Sequence, residues 1–500
     1  MPTSELLISR RDRKVDAKIT QRGKMLHQSL RDYLEDLKRN QQLIEVREKT
    51  IPEPGIRTYL RAAANMGDAG PAILLNNIAG YKGYQVAGNV HGSWANHALL
   101  LGMEKSASIR DQFFRVDELW NTAKKGTIKT VSNAACQEVV VDKDINLYKI
   151  MPLFRINQYD GGFYLSKACI ISRDPDDPDN IEKENVGMYR VMIQGADTVG
   201  MQALAFHDLA RHLKTAEERN EPLPVAICVG NPPLLSTMAA TPLAYDQSEY
   251  KTASVITGTP FEVTPAIGYR LNIPAWAEYV LEGEVIPRKR FCEGPFGEFP
   301  GSYSGVRDQI RIKIRRVTHR KNPIFENLFI GRPWTEHDTL IGLWTSVPLY
   351  KQLQSEFPEV RSVNAIYQHG LSIIISTDLR FAGFAKTVAM RLATTPHGIS
   401  YAKNIIVVDG DIDPFNLTQV MWALSARVRA DKDVTIIANT PGMPLDPCSN
   451  PPGVGQKLII DATTPKYPDT LRDVTMIEDP PCTEKIEKKL AALWEEVKRG

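Results

Sequence analysis

The segment CEGPFGEFPG (292–301) sets two carboxylates, Glu293 and Glu298, on either side of Gly294-Pro295-Phe296-Gly297. Glycine and proline permit a tight reversal, so both acids can enter one pocket. Neighbouring carboxylates push their pKa values apart, which leaves one protonated near neutral pH and able to hand a proton to carbon. A solvated turn with two exposed acids satisfies the same pattern. A second signal is NVGMYR (185–190). As a strand it places Asn185, Gly187 and Tyr189 on one face and Val186, Met188 and Arg190 on the other. An arginine among apolar neighbours must meet an anion or be costly to bury. That anion is either a bound carboxylate or a structural acid. A third, dispersed set is Asn185, His207 and Glu249. These donors suit a hard or borderline divalent ion with positions left open for phosphate oxygens. A helix-capping His207 and a surface Glu249 are the plainer alternative.

Other chemistries lack their motifs. No G-x-x-x-x-G-K-[ST] loop exists, and no G-x-G-x-x-G follows a strand; the fragment GVG (453–455) lacks the third glycine. GSYSG (301–305) centres on Tyr303 where a nucleophile elbow needs serine. His207 and His212 are five apart, which is not the i, i+4 pair of a zinc protease. Nucleotide hydrolysis, simple dehydrogenation and serine hydrolysis have little support.

The elements that must position these residues fall into a multidomain α/β arrangement. A basic arm (1–25) precedes an α/β lobe (26–130), where SLRDYLEDLKRNQQL reads as a helix capped by Ser29 and PAILLNNIAGY as a buried strand. Residues 131–321 are rich in strands: GFYLSKACIISRDP, NVGMYRVMIQG, PVAICVGNPP, AEYVLEGEV and QIRIKIRRVTHR. The last alternates Ile310, Ile312 and Ile314 with Arg311, Lys313 and Arg315, one face buried and one wet. With one clear helix (206–220), this stretch predicts a barrel or sandwich. From 322 to 500, helices and short apolar strands alternate, as in a parallel sheet covered on both faces.

Composition bounds the rest. Of 500 residues, 43% are hydrophobic and 24% charged, too apolar for a disordered chain. Lysine plus arginine number 61 and aspartate plus glutamate 59, a net charge of +2, which argues against nucleic-acid binding through bulk charge. No apolar run is long enough to span a membrane. Six cysteines without a C-x-x-C pair read as independent reduced thiols. The N-terminus lacks an apolar core, and Glu5, Asp12 and Asp16 weaken a transit-peptide reading, so the expected location is the cytoplasm.

Long stretches of the chain resemble the UbiD-like decarboxylases, which use prenylated FMN, and within them the catalytic subunit of the non-oxidative hydroxyarylic acid decarboxylases. The resemblance runs from about residue 28 to 500. It is carried by PLFRINQYDGGFYLSKACIISRDPDDPDN, NVGMYR, TPLAYDQSEY, LEGEV with EGPFGEFPGSYSG, RPWTEHDTLIG, FPEVRSVNAIYQHGL, TTPHGISY and DGDIDPFNLTQVMWALS. It implies a central split β-barrel that binds the flavin, and a catalytic set of Arg190, Glu293 and Glu298. It implies a manganese or magnesium ion on Asn185, His207 and Glu249 that holds the cofactor phosphate, and a nearby potassium ion on backbone carbonyls of about Met238 to Thr241. Cofactor contacts fall on Asn185, Met188, Tyr189, Arg190, Phe206, His207, Ala239, Ala240, Thr241, Pro242, Glu249 and His397. His337, Met443 and Leu445 fall near the substrate; His337 is suited to a phenolic hydroxyl or, more plainly, to the start of a helix. The chain departs from its relatives at ALAF before His207, where they often carry prolines, and at His397, where some carry lysine. The expected reaction is reversible decarboxylation of a hydroxylated or electron-rich aromatic acid such as 4-hydroxybenzoate, vanillate or protocatechuate. A flavin prenyltransferase would supply the cofactor, and a homodimer or larger homo-oligomer is expected. Alternatives are a heteroaromatic or other unsaturated acid as substrate, a metal-dependent hydrolase without flavin, and a non-catalytic cofactor-carrier subunit.

Overall fold

Ser29 starts the first helix, Leu30–Arg39. Its hydroxyl accepts from the Asp32 N–H, and Asp32 accepts from the Ser29 N–H in return. Leu30, Tyr33, Leu34 and Leu37 recur at helical spacing and are buried against a small sheet. The computed structural model describes residues 27–121, 125–204, 207–245, 247–367, 370–465, 477, 480 and 483–499. The basic arm, Phe206 and Cys482 lie outside the described residues.

The first sheet has four strands in the order Leu43–Val46, Ala72–Leu75, Gln85–Gly88 and Ile324–Glu326. The fourth strand arrives from far along the chain and pairs in parallel with Gln85–Gly88. The chain therefore leaves the lobe, builds the middle of the molecule, and returns before entering its C-terminal part.

The middle is a closed six-stranded barrel. Tyr279–Glu293, Leu223–Val229, Tyr164–Arg173, Glu184–Ile193, Thr198–Met201 and Arg307–His319 follow one another around it, and the last pairs with the first. Closure leaves no long free edge. Ile310, Ile312 and Ile314 point into the core, while Arg311, Lys313 and Arg315 are more exposed. The strand-rich reading of this region holds, but it undercounts helices. Pro233–Met238 is short and buried throughout, and Glu249–Thr257 is short with no exposed residue, so neither shows an amphipathic period.

The C-terminal sheet is mixed. Ser372–Thr377, Asn404–Asp409 and Val454–Ala462 are parallel, flanked by Val360–Asn364 and Val434–Pro441, both antiparallel. Val360–Asn364 and Ser372–Thr377, close in sequence, pair as antiparallel neighbours. The helix Glu336–Glu356 begins where the plainer reading of His337 puts a helix start, but its length has no counterpart in the sequence reading. It buries residues on every side, including Leu340, Ile341, Leu343, Trp344 and Val347, so it carries no one-sided stripe. Among the described residues no helix is long and apolar enough to cross a membrane.

Candidate active site

The strand Glu184–Ile193 is zipped at one end and open at the other. Residues 191–193 pair with 199–201, but among the described residues no strand pairs with 184–190 on that side. Their inner N–H groups find other acceptors. Val186 donates to Glu249 Oε2 at 3.1 Å, and Met188 to the Ala239 carbonyl at 2.8 Å. Side chains from both faces of this half-strand can thus reach one cavity, which explains how Asn185 and Arg190 meet despite opposite parity.

That cavity is about 520 Å³. Asn185, Met188, Tyr189, Arg190, His207, Ala239, Ala240, Thr241, Pro242, Glu249, Glu298, His337, His397, Met443 and Leu445 all line it. Glu293 stands behind Arg190, fully buried. Of the residues expected at the site, Phe206 alone lies outside the described residues.

Arg190 organises the acidic end. Its Nε donates to Glu293 Oε1 at 2.9 Å and its Nη2 to Glu293 Oε2 at 2.6 Å, a bidentate pair. Its Nη1 donates to Glu298 Oε1, and its guanidinium packs 5.2 Å from the centre of the Phe296 ring. Three of five guanidinium N–H groups are thereby used, which leaves about two for a ligand. Burial raises the Glu298 carboxyl above the usual carboxylate range; Arg190 pulls it down and Glu293 pushes it up. Burial disfavours the Arg190 cation, but its two carboxylates outweigh this and hold it charged.

The loop that presents Glu298 is held from below. Gly297 N–H donates to Asp160 Oδ1 at 2.8 Å, Gly161 N–H to the Pro295 carbonyl at 2.7 Å, and Gly294 N–H to the Tyr164 hydroxyl at 3.1 Å. A Cβ on Gly161 would lie 2.2 Å from the Gly294 oxygen, so only glycine allows this approach. Burial pushes Asp160 up to about 6, against the backbone N–H groups that favour its ionised form.

At the other end Glu249 opens the helix Glu249–Thr257, capped by Ser248. Burial pushes its carboxyl up to about 8, and no cation among the described residues offsets this. His207 precedes the helix Asp208–Glu218, and its Nδ1 accepts from the Leu204 N–H at 3.2 Å. Burial pushes His207 down to about 4, so the ring is neutral, as a metal ligand must be. A buried carboxyl without a counter-cation, a neutral imidazole and the Asn185 amide fit a divalent ion. The surface-Glu249 alternative does not hold, since Glu249 is buried.

Four rings stack along the wall. His337, in the first turn of Glu336–Glu356, lies 5.4 Å from Phe299 at 19°, and His397 lies 4.3 Å from Tyr401 at 5°. Both imidazoles are pushed down to about 4 by burial and are neutral. Lys457 holds the His397 loop: its buried Nζ donates to the carbonyls of Gly398 (3.0 Å), Ile399 (3.0 Å) and Ala402 (2.8 Å). The sequence reading missed Phe296, Phe299, Tyr401 and Lys457. The first three sit in stretches that carry the family resemblance. Lys457 gave no signal, because three backbone acceptors leave no trace in sequence.

The N-terminal, Rift-related and C-terminal domain profiles of 3-octaprenyl-4-hydroxybenzoate carboxy-lyase match residues 34–116, 129–333 and 338–462. The chain belongs to the UbiD family of carboxy-lyases. A phenolic acid decarboxylase from Sedimentibacter hydroxybenzoicus is 53% identical over 473 residues, covering 94% of this chain and 98% of that one. The vanillic acid decarboxylase structure from the same organism, in its closed form, superposes with a TM-score of 0.87 at 53% identity, covering 94% and 99%. The UbiD-class enzyme HmfF from Pelotomaculum thermopropionicum, solved with FMN, superposes at 0.78 with 25% identity, covering 91% and 98%.

Proposed function

We propose that this UbiD-family chain is the catalytic subunit of a non-oxidative hydroxyarylic acid decarboxylase. It acts reversibly on an acid of the 4-hydroxybenzoate, vanillate or protocatechuate type. The observation that carries the reading is the buried Arg190, clamped by Glu293 and aimed with Glu298 into the cavity. The high identity to a phenolic acid decarboxylase supports the substrate class.

Loss of CO2 from an aromatic ring leaves an electron pair that no side chain can delocalise. A prenylated FMN, when bound, supplies that electron sink. Asn185, His207 and Glu249 would hold manganese or magnesium against its phosphate. Potassium would sit by the carbonyls of Met238 to Thr241, of which Ala239 already accepts from Met188. Arg190 pairs its remaining N–H groups with the substrate carboxylate and fixes the scissile bond. The carbon–carboxylate bond breaks, CO2 leaves, and the ring carbon takes a proton from Glu298. Glu298 then remains as a carboxylate beside Arg190, while Glu293 holds the guanidinium in place throughout. His337 and His397, both neutral, can accept from or donate to a phenolic hydroxyl.

The chain divides, in this reading, into an arm (1–25), a lobe (26–130), a flavin barrel (131–321) and a C-terminal domain (322–500). Exposed Met421 and Trp422, and Leu490 and Trp494 on the last helix, support a homodimer or larger assembly. A cytoplasmic location and a separate flavin prenyltransferase complete the proposal. The test is co-expression with such a prenyltransferase, followed by the absorbance spectrum and a screen of aromatic acids for CO2 release. Flavin-independent turnover, or no CO2 from any hydroxylated benzoate, overturns it.

A further inference from the structure

The segment that carries Glu298 has two sides. Phe296, Glu298 and Phe299 face the active cavity, whereas Gly297, Ser302 and Tyr303 line a second cavity of about 490 Å³. The chain after Ile324–Glu326 alternates in the same way. Leu328 and Ile330 face the first cavity; Phe329 and Arg332 face the second. One thickness of chain separates the two spaces.

Cationic groups without counter-charge gather in the second cavity. Arg61, on the helix Arg57–Ala64, donates from Nη1 to the Arg332 carbonyl at 3.1 Å and sits 5.6 Å from the centre of the Phe329 ring. Among the described residues no carboxylate pairs with Arg61 or with Arg332. Arg57, also on the wall, is by contrast paired with Glu53 at 2.9 Å. Burial, and then the charge of Arg332, lower the Arg61 pKa, so the two cations already oppose each other. An anion between them removes that repulsion and gains charge-assisted hydrogen bonds. The rest of the lining includes the Phe329 ring and, where a substituent would lie, polar Asn157 and Ser302.

We propose that this second cavity is a binding site for an aromatic carboxylate, its acid group facing Arg61 and Arg332 and its ring on Phe329. The choice of an aromatic acid rests on the decarboxylase reading, since that molecule is the reactant; the anion site itself rests only on the two guanidiniums. Bare phosphate would satisfy the charges and leave the aromatic floor unused.

The test uses the flavin-loaded full chain and 4-fluorobenzoate, with stoichiometry read by calorimetry and by fluorine NMR. Wild type binds two equivalents. Arg332→Glu, at an exposed position that leaves folding intact, loses one equivalent or binds it about tenfold more weakly, roughly 1.4 kcal/mol. Arg61→Gln does the same, and Arg190→Met loses the other equivalent. If wild type binds a single equivalent that Arg332→Glu removes and Arg190→Met leaves, the second site stands while the decarboxylase reading fails. A single equivalent that Arg190→Met removes and Arg332→Glu leaves overturns the second site alone. Phosphate competing as well as 4-fluorobenzoate at the Arg332-dependent site overturns the aromatic assignment.

Discussion

Replacing Glu293 by glutamine tests the division of labour at the acidic end. The wild-type carboxylate takes two charge-assisted bonds from Arg190, at 2.9 and 2.6 Å, and is fully buried. Stripping a buried ion pair of one partner costs about 3–5 kcal/mol. Glutamine keeps one acceptor, and Glu298 remains as counter-charge, so the loss is nearer that of one hydrogen bond to a charged group, roughly 1.5–3 kcal/mol. The variant should therefore fold, retain flavin and unfold at lower denaturant by about that amount. Its pH profile should also move. Glu293 raises the Glu298 carboxyl and Arg190 lowers it. With the negative charge gone and the guanidinium less engaged, both effects lower Glu298. Proton delivery requires the protonated acid, so turnover falls as pH rises through the Glu298 value. Lowering that value brings the alkaline decline to lower pH. CO2 release measured across pH, beside denaturant titrations of flavin-loaded protein, gives both readouts. An alkaline decline that stays put or moves to higher pH refutes the assignment of Glu298 as donor and Glu293 as its modulator.

Glu298→Gln should keep its flavin spectrum and lose turnover by about a hundredfold to ten-thousandfold, the usual share of a general acid, in a CO2-release assay. Glu249→Ala should lose divalent metal by elemental analysis and flavin by absorbance together, with its far-ultraviolet dichroism unchanged. Lys457→Met strands the buried carbonyls of Gly398 and Ala402 and should cost at least about 2 kcal/mol of stability and raise KM, with partial recovery in Lys457→Arg. Gly161→Ala places a methyl 2.2 Å from the Gly294 oxygen, so it should displace the Glu298 loop and cut kcat while thermal melting shows a folded barrel.

How much of this was legible depends on what each feature leaves in sequence. The barrel strands were visible because one-sided burial imposes a period of two, as in Ile310, Ile312 and Ile314. Of the helix Glu336–Glu356 only the start at His337 was legible, because burial on every side erases the period of 3.6. The acid pair was legible as Gly-Pro punctuation around Glu293 and Glu298, but the pattern could not say which acid would sit behind Arg190 and which would face the cavity. Strand parity placed Asn185 and Arg190 on opposite faces. Their meeting depends on the missing neighbour of residues 184–190, a property of the sheet and not of the strand. Lys457 and the Arg61–Arg332 cavity join residues more than fifty and more than two hundred and fifty positions apart through backbone contacts, which no local pattern encodes.

The half-open strand at 184–190 also gives the protein a built-in reporter. The Val186 and Met188 amides are shielded by a carboxylate and by a carbonyl at a helix end, not by a neighbouring strand. Were Glu249 to turn both oxygens toward a cation, the first amide would lose its acceptor, while the second would keep its own. Deuterium uptake at these two sites, compared between empty and loaded protein, would register occupancy amide by amide, with no turnover and no pigment needed to see it.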